Sequence, residues 1–267
     1  MKSPSIFKPY MKVKDPDKAH AKLSASGAER WMGCPGCVRE SEGIPSVENE
    51  ASTRGTNTHT LMQFILENYS SWERLIARPD AKAFKDFIEY DDAMLVSAMV
   101  GVKYVWAERE RMLKRNGVEP IMHIEKKLEL ERVGFGTSDV ILYQPFGVLH
   151  VMDFKNGVGV VEPEENYQGL YYAVAAADLH AWDFRECWIT IIQPNAPHKA
   201  GPIRTWKTTP ARLEQAQREF RIKARATQKP DAPLVMNAKW CWFCPARQTC
   251  PEQRKASHKK IAGRFER

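Results

Sequence analysis

No stretch of the 267 residues approaches the eighteen or so consecutive apolar residues that a membrane-crossing helix needs. The first twenty residues, MKSPSIFKPYMKVKDPDKAH, hold no apolar run of the length a secretory leader requires. There is also no internal repeat and no low-complexity tract, which sets aside solenoid and fibrous architectures. These absences lead us to expect a soluble, intracellular chain. Its composition agrees: 43% of residues are apolar and 27% charged, ordinary values for a globular protein. A chain of this size can bury roughly 70–75% of the surface it exposes when unfolded.

Charge is unevenly spread. The net charge is +7, yet residues 199–267 carry 17 Lys or Arg against 5 Asp or Glu, and the rest carry 23 against 28. A basic C-terminal third points to a polyanion, nucleic acid being the usual one, or to a well-solvated helix surface. Six cysteines are present: Cys34, Cys37, Cys187, Cys241, Cys244 and Cys250. In an intracellular chain, clustered cysteines bind metal more often than they form disulfides. Cys187 stands in an apolar run and reads as a small core residue.

Along the chain, residues 1–22 read as a basic arm. Residues 24–31 read as a short helix capped by a serine and ending near Gly33. Residues 35–52 read as loop, and helix resumes near Thr56 to about Tyr69. A longer helical stretch covers about 80–115, with a break near Asp91 and a stop at Asn116–Gly117. Residues 121–130, 136–144 and 147–155 read as strands, the last two an antiparallel hairpin around Pro145–Gly147. Residues 164–179 read as helix, 186–193 as a buried strand, and 210–227 as a basic helix. The cysteine segment and a short C-terminal helix follow. This order predicts an α/β core with a mixed sheet. We expect a single domain over 23–267: a helical part 23–118, a catalytic core 119–208, and a basic-helix and cysteine segment 209–267.

The chemistry belongs on the hairpin. Side chains alternate faces along a strand, so Asp153 and Lys155 share a face with Leu149 and Val151, while Met152 and Phe154 point the other way. Hairpin pairing can bring Asp139 beside Asp153. Adjacent carboxylates repel, and are stable together mainly with a cation between them. Oxygen ligands in an open site favour Mg²⁺ or Mn²⁺, which can act on a phosphodiester. A single D-x-K run is by itself more often a structural ion pair.

Several motifs accompany it in one order: Gly55-Thr-Asn-Thr-His59, Glu125, Gly136-Thr-Ser-Asp139, Asp153-Phe-Lys155 and Gln168-Gly-Leu-Tyr-Tyr172. The ordered set, over roughly residues 20–255, resembles the RecB-like branch of the PD-(D/E)XK nuclease superfamily, its small phage-type nucleases in particular. The resemblance implies a restriction-endonuclease-like core, with a mixed central sheet flanked by helices. It implies that Asp139 and Asp153 are carboxylate metal ligands, His59 a further ligand on the helix opening after Gly55, and Lys155 the catalytic lysine. Glu125 would stand at the mouth of the site, and Gln168 and Tyr172, four apart on one helix face, would line it.

The run Cys241-x₂-Cys244-x₅-Cys250, with the segment ending at Cys34, resembles the subgroup of these nucleases in which four cysteines hold a 4Fe–4S cluster. That would staple the N- and C-terminal segments together. Zinc held by Cys34, Cys37, Cys241 and Cys244 is the alternative. The resemblance implies DNA as substrate, with ends or single-stranded regions. It also implies a bacterial or phage-infected cytoplasm and action beside a single-strand-binding protein, a helicase or a recombinase. Arg212, Arg218, Arg221, Lys223 and Arg225 on the basic helix could track phosphates. Three readings stand at this stage: a DNA exonuclease of recombination, repair or phage replication; a non-catalytic, metal-stapled DNA-binding or assembly module; and an RNA-directed hydrolase.

Overall fold

The computed structural model describes residues 21–45, 50–76 and 91–257. Nearly all of the expected N-terminal arm, and residues 80–90 of the long helical stretch, lie outside them.

Five strands form one sheet in chain order: β1 (Ile121–Leu130), β2 (Gly134–Tyr143), β3 (Val148–Phe154), β4 (Glu186–Ile192) and β5 (Ile203–Thr208). The first three make an antiparallel meander, and β5 returns antiparallel to β4. Between β3 and β4 the pairing is parallel. A parallel step needs a crossover, and helix Tyr167–Leu179 supplies it. The sheet is therefore mixed and flanked by helices, as the order of elements predicts. β5 was not expected. Its fully buried positions are Arg204 and Thr208, with only the half-buried Trp206 between them, so no aliphatic alternation marks the strand.

The remaining helices are α1 (Ala28–Gly33), α2 (Cys37–Glu40), α3 (Glu50–Asn68), α4 (Trp72–Ile76), α5 (Asp92–Asn116), the crossover α6 (Tyr167–Leu179), α7 (Pro210–Thr227) and α8 (Ala238–Cys241). Residues 251–257 are also helical. The ends of α5 and α7 follow local rules. The Asp91 carboxylate accepts from Met94 N at 2.8 Å, and Gly117 closes α5 in the left-handed conformation at φ 69°. Thr209 caps α7, with Pro210 in its first turn. The crossover helix starts three residues later than predicted, where Asn166 Oδ1 accepts from Gly169 N.

Three expectations need correction at the N-terminal side. The helix expected over 24–31 begins at Ala28, because Ser24 Oγ accepts from Gly27 N in a turn ahead of it, and Gly27 is the cap. The segment read as loop contains α2. α3 starts at Glu50, so Gly55 lies inside the helix that bears His59 rather than ahead of it. The bare Gly55 Cα faces Asn156, whose Cβ would stand 4.0 Å from a methyl placed there.

Both faces of the sheet are covered. Ile141, Tyr143, Leu149 and Val151 pack with α1, α6 and α7, whereas Val140, Leu142, Met152 and Phe154 pack with α3 and α5. The split follows the two-residue period of the strands.

One polar chain runs across the second face from buried His150 to the surface. His150 Nε2 lies 2.7 Å from Thr190 Oγ1, which lies 2.7 Å from Thr205 Oγ1, itself 3.3 Å from Tyr104 OH on α5. Burial, helped by the charges of Arg111 and Lys207, depresses the His150 pKa to about 3. The unfolded chain therefore takes up this proton first as pH falls. The contribution of neutral His150 to stability is complete above about 6.5 and is lost progressively toward about 3. Between pH 7 and pH 4 we expect this residue alone to account for about 3 kcal/mol of lost stability. Denaturation curves of wild type and His150→Gln across that range test this. The variant's curve should be flatter, and parallel curves would refute the assignment.

Candidate active site

The β1–β2 register sets Ile124 against Val140 and Lys126 against Ser138, which puts Glu125 opposite Asp139. The β2–β3 register sets Val140 against Met152, and its next step puts Asp139 opposite Asp153. Directly opposed residues share a face, so three carboxylates form one row across three adjacent strands. Glu125 holds φ at 47°, a left-handed conformation uncommon outside glycine. Such backbone outliers gather at functional sites.

From the far side of the sheet, α3 brings His59. Its Nδ1 lies 3.5 Å from Asp139 Oδ1, and its ring meets Phe154 edge-on with centroids 5.2 Å apart. Ligand atoms of His59, Glu125 and Asp139 all lie within 4.8 Å of one another, and no other set of three acidic, histidine or cysteine residues does so among those described. Asp139 Oδ2 accepts from Phe154 N at 2.7 Å, which fixes its carboxylate.

Lys155 follows the last residue of β3. Its N–H donates to Ile192 O at 2.8 Å, so it continues the strand pairing and keeps to Asp153's face. Its ammonium donates to Asp153 Oδ1 at 3.2 Å and to Gln168 Oε1 at 2.7 Å. It stands 2.8 Å from Asp153 Oδ2, but at an angle that makes no hydrogen bond, and this buried oxygen accepts none. Tyr172, one helical turn beyond Gln168, closes the α6 side, while Tyr171 turns into the core against Phe220.

The electrostatics split the two aspartates. Burial pushes Asp139 toward neutrality, but His59, the Phe154 N–H and Lys155 outweigh it, and its pKa falls below the usual value. For Asp153, burial together with Asp139's charge outweighs Lys155, and its pKa rises. His59 also loses to burial, yet Asp139, Asp153 and Glu125 together raise its pKa. Burial raises that of the Tyr172 hydroxyl, with Asp153 and Asp139 adding to it, so it stays a neutral hydroxyl.

The structure thus brings together His59, Glu125, Asp139, Asp153, Lys155, Gln168 and Tyr172. It groups them differently from the sequence reading: Glu125 joins His59 and Asp139, and Asp153 is engaged by Lys155. Two residues that sequence reasoning missed, Gln193 and Arg204, pin the segment after Lys155. Only the abrupt polar end of the β4 apolar run hinted at Gln193.

On α7, Arg212 is tied to Glu165 and Glu219, Arg221 to Glu131, and Arg218 lies 4.0 Å from Glu214. Lys223 and Arg225 form no ion pair among the described residues.

Five cysteines, Cys34, Cys37, Cys241, Cys244 and Cys250, line one small cavity between the N-terminal and C-terminal segments. None forms a disulfide. Val235 N donates to Cys34 Sγ at 3.2 Å and Asn237 N to Cys241 Sγ at 3.4 Å. The hydrogen bond from Cys37 outweighs burial and, with Val235 N–H, draws the Cys34 pKa down to about 6, while Cys37's own pKa rises. No three of these sulfurs lie within 4.8 Å of one another. Cys187 is buried in the sheet core instead, as expected.

A family model described as "Protein of unknown function (DUF2800)" matches residues 20–267. Among solved structures, a provisionally assigned exonuclease from Eubacterium rectale is 13% identical, over 86% of this chain and 90% of that one, with a TM-score of 0.38. The alkaline exonuclease of Laribacter hongkongensis is 13% identical over 63% of this chain and 87% of its own, at 0.26. Its complex with dAMP is 11% identical over 67% and 90%, at 0.28. Likenesses this distant transfer no activity to the chain.

Gly136 explains how Tyr172 reaches the site. A Cβ there would stand 2.9 Å from the Tyr172 ring and 3.2 Å from Ala25 Cβ. Gly136→Ala should therefore cost about 1–3 kcal/mol in chemical denaturation. Gly159→Ala, with nothing within 4 Å of its Cβ, should change stability by under about 0.5 kcal/mol. Equal effects would show that the close approach of Tyr172 is unimportant.

Proposed function

The chain belongs to the DUF2800 family, and we propose that it is a divalent-metal-dependent DNA nuclease of the RecB-like PD-(D/E)XK type, acting as an exonuclease in recombination, repair or phage replication. The observation that carries this reading is the gathering of His59, Glu125 and Asp139 donors within 4.8 Å, beside a lysine held by Asp153 and Gln168.

The donor set fits a divalent ion. Two carboxylates and one imidazole suit Mn²⁺ or Mg²⁺, the imidazole tilting the choice toward Mn²⁺. Asp153 Oδ2, buried beside the Lys155 ammonium but accepting no hydrogen bond, is a further oxygen donor that such an ion could share. Such an ion would supply Lewis acidity toward a phosphodiester and toward water. The chain's own residues do the rest. Asp139, with its lowered pKa, presents a charged carboxylate, and His59 is oriented by it. Lys155 is held between Asp153 and Gln168, where its ammonium can neutralise charge building on a phosphate or orient an attacking water. The neutral Tyr172 hydroxyl, bonded to Gln168, can donate to a phosphate oxygen. The exposed Arg218 pair is worth little in water, and Lys223 and Arg225 form no ion pair among the described residues, so these three can take up phosphates most readily.

We assign Cys34, Cys241, Cys244 and Cys250 to a 4Fe–4S cluster. The four sulfurs line one small cavity, and the N–H donors on Cys34 and Cys241 suit thiolate ligands of such a cluster. Cys37 then donates a hydrogen bond to Cys34 rather than ligating. The cluster would join the chain's two ends.

Two experiments test these assignments. Linear single- and double-stranded DNA incubated with Mn²⁺ or Mg²⁺ should be degraded by wild type. Asp153→Ala and Lys155→Ala should each slow this at least about a hundredfold. If both variants cut as wild type does, the site is wrongly assigned, and if wild type cuts no DNA, a binding module or an RNA hydrolase replaces the reading. Separately, protein purified without oxygen should be brown and hold about four irons per chain. Cys250→Ser should lose the colour and Cys37→Ser keep it. Colourless wild type with one zinc would install Cys34, Cys37, Cys241 and Cys244 as the ligands instead.

A further inference from the structure

The segment that leaves the site carries two valines in water. Val158 is 71% exposed and Val160 45%, each beside a glycine, Gly157 or Gly159, with open space around its Cα. A glycine-rich loop could ordinarily fold such side chains away. This one is held open. Gln193, 1% exposed, donates from Nε2 to Gly157 O at 3.0 Å and to Gly159 O at 2.7 Å, and accepts from Val161 N at 3.1 Å. Arg204, 6% exposed, donates to Gln193 Oε1 at 2.7 Å and to Val161 O at 2.8 Å. Asn195 Nδ2 donates to Asn156 O at 3.0 Å. Two buried side chains and one exposed one thus fix the backbone on both sides of the valines, and the apolar tip is presented rather than left over.

The tip begins three residues beyond Lys155. Three residues span at most about 11 Å, and a strand of DNA rises about 3.4 Å per nucleotide. Val158 therefore reaches no further than about three nucleotides from a phosphate held at Lys155, and Val160, five residues on, no further than about five. Phosphates and sugars offer little to isopropyl groups, whereas the faces of bases do. In a duplex those faces are closed by stacking, and inserting an apolar wedge must first part a base step. In a single strand or a frayed end they are open.

We propose that Val158 and Val160 form a base-contacting wedge that selects single-stranded or frayed DNA at the neighbouring site. This rests on the nuclease reading. The wedge is a specificity device: Gln193 and Arg204 position it, and the valines touch the bases.

The test uses single-turnover cleavage with Mn²⁺ of an ordinary single strand and of the same strand made abasic for about five nucleotides on either side of the cleaved bond. Wild type should cut the ordinary strand about tenfold faster than the abasic one. Val158→Ser/Val160→Ser should cut both at one rate, close to that of wild type on the abasic strand. Val158→Leu/Val160→Leu, which keeps an apolar tip, should restore the discrimination. If wild type treats the two strands alike, or if the serine variant discriminates as wild type does, the wedge is refuted while the nuclease stands. If wild type cuts neither strand, the nuclease reading falls and takes the wedge with it.

Discussion

The structure turns on two carboxylates placed side by side where water is scarce. Asp139 is 8% exposed and Asp153 3%, and the β2–β3 register sets them opposite each other. Burying like charges together is costly unless cations or hydrogen-bond donors answer them. Here a backbone N–H and His59 answer Asp139, and Lys155 answers Asp153. One oxygen of Asp153 still accepts no hydrogen bond. The arrangement persists because the strands on which it sits are held by cores on both faces, so the acids cannot move apart.

That constraint dictates what surrounds it. Each face sends one helix to the row: α3 delivers His59 and α6 delivers Gln168 and Tyr172. The approach is tight enough that glycine stands where side chains would obstruct it. Gly136 admits the Tyr172 ring, and Gly169 brings α6 against β4, where a Cβ would stand 2.5 Å from Ile189. Beyond Lys155 the chain cannot relax into solvent, because Gln193 and Arg204 take up its carbonyls. The candidate site is thus held in place by groups that lie outside the row of acids.

The cysteine cavity solves a different problem. α1 and α2 come from one end of the chain and the cysteine segment from the other. The bonds from Arg30 to Phe243 O and from Val235 N to Cys34 Sγ are among those that join them. The small cavity at that seam adjoins α1 and α2, which pack on α6 and α7, so a group bound there would brace the α6 wall of the candidate site.

Much of this was legible in the sequence. Alternation on β3 determined that Asp153 and Lys155 share a face and that Met152 and Phe154 oppose them, since a strand's period admits no other outcome. The Asp91 and Gly117 signals set the ends of α5, because capping is local. What the sequence could not decide was which donors meet. Glu125 and Asp153 were both candidates beside Asp139. Only the register across three strands, with the left-handed turn at Glu125, put Glu125 with His59 and left Asp153 to Lys155. β5, Gln193 and Arg204 were hidden for the same reason. Their roles are polar contacts between residues far apart in the chain, and no periodicity records them. Local stereochemistry writes itself into the sequence as spacing, whereas the partners of a buried charge are fixed only when distant segments close around it.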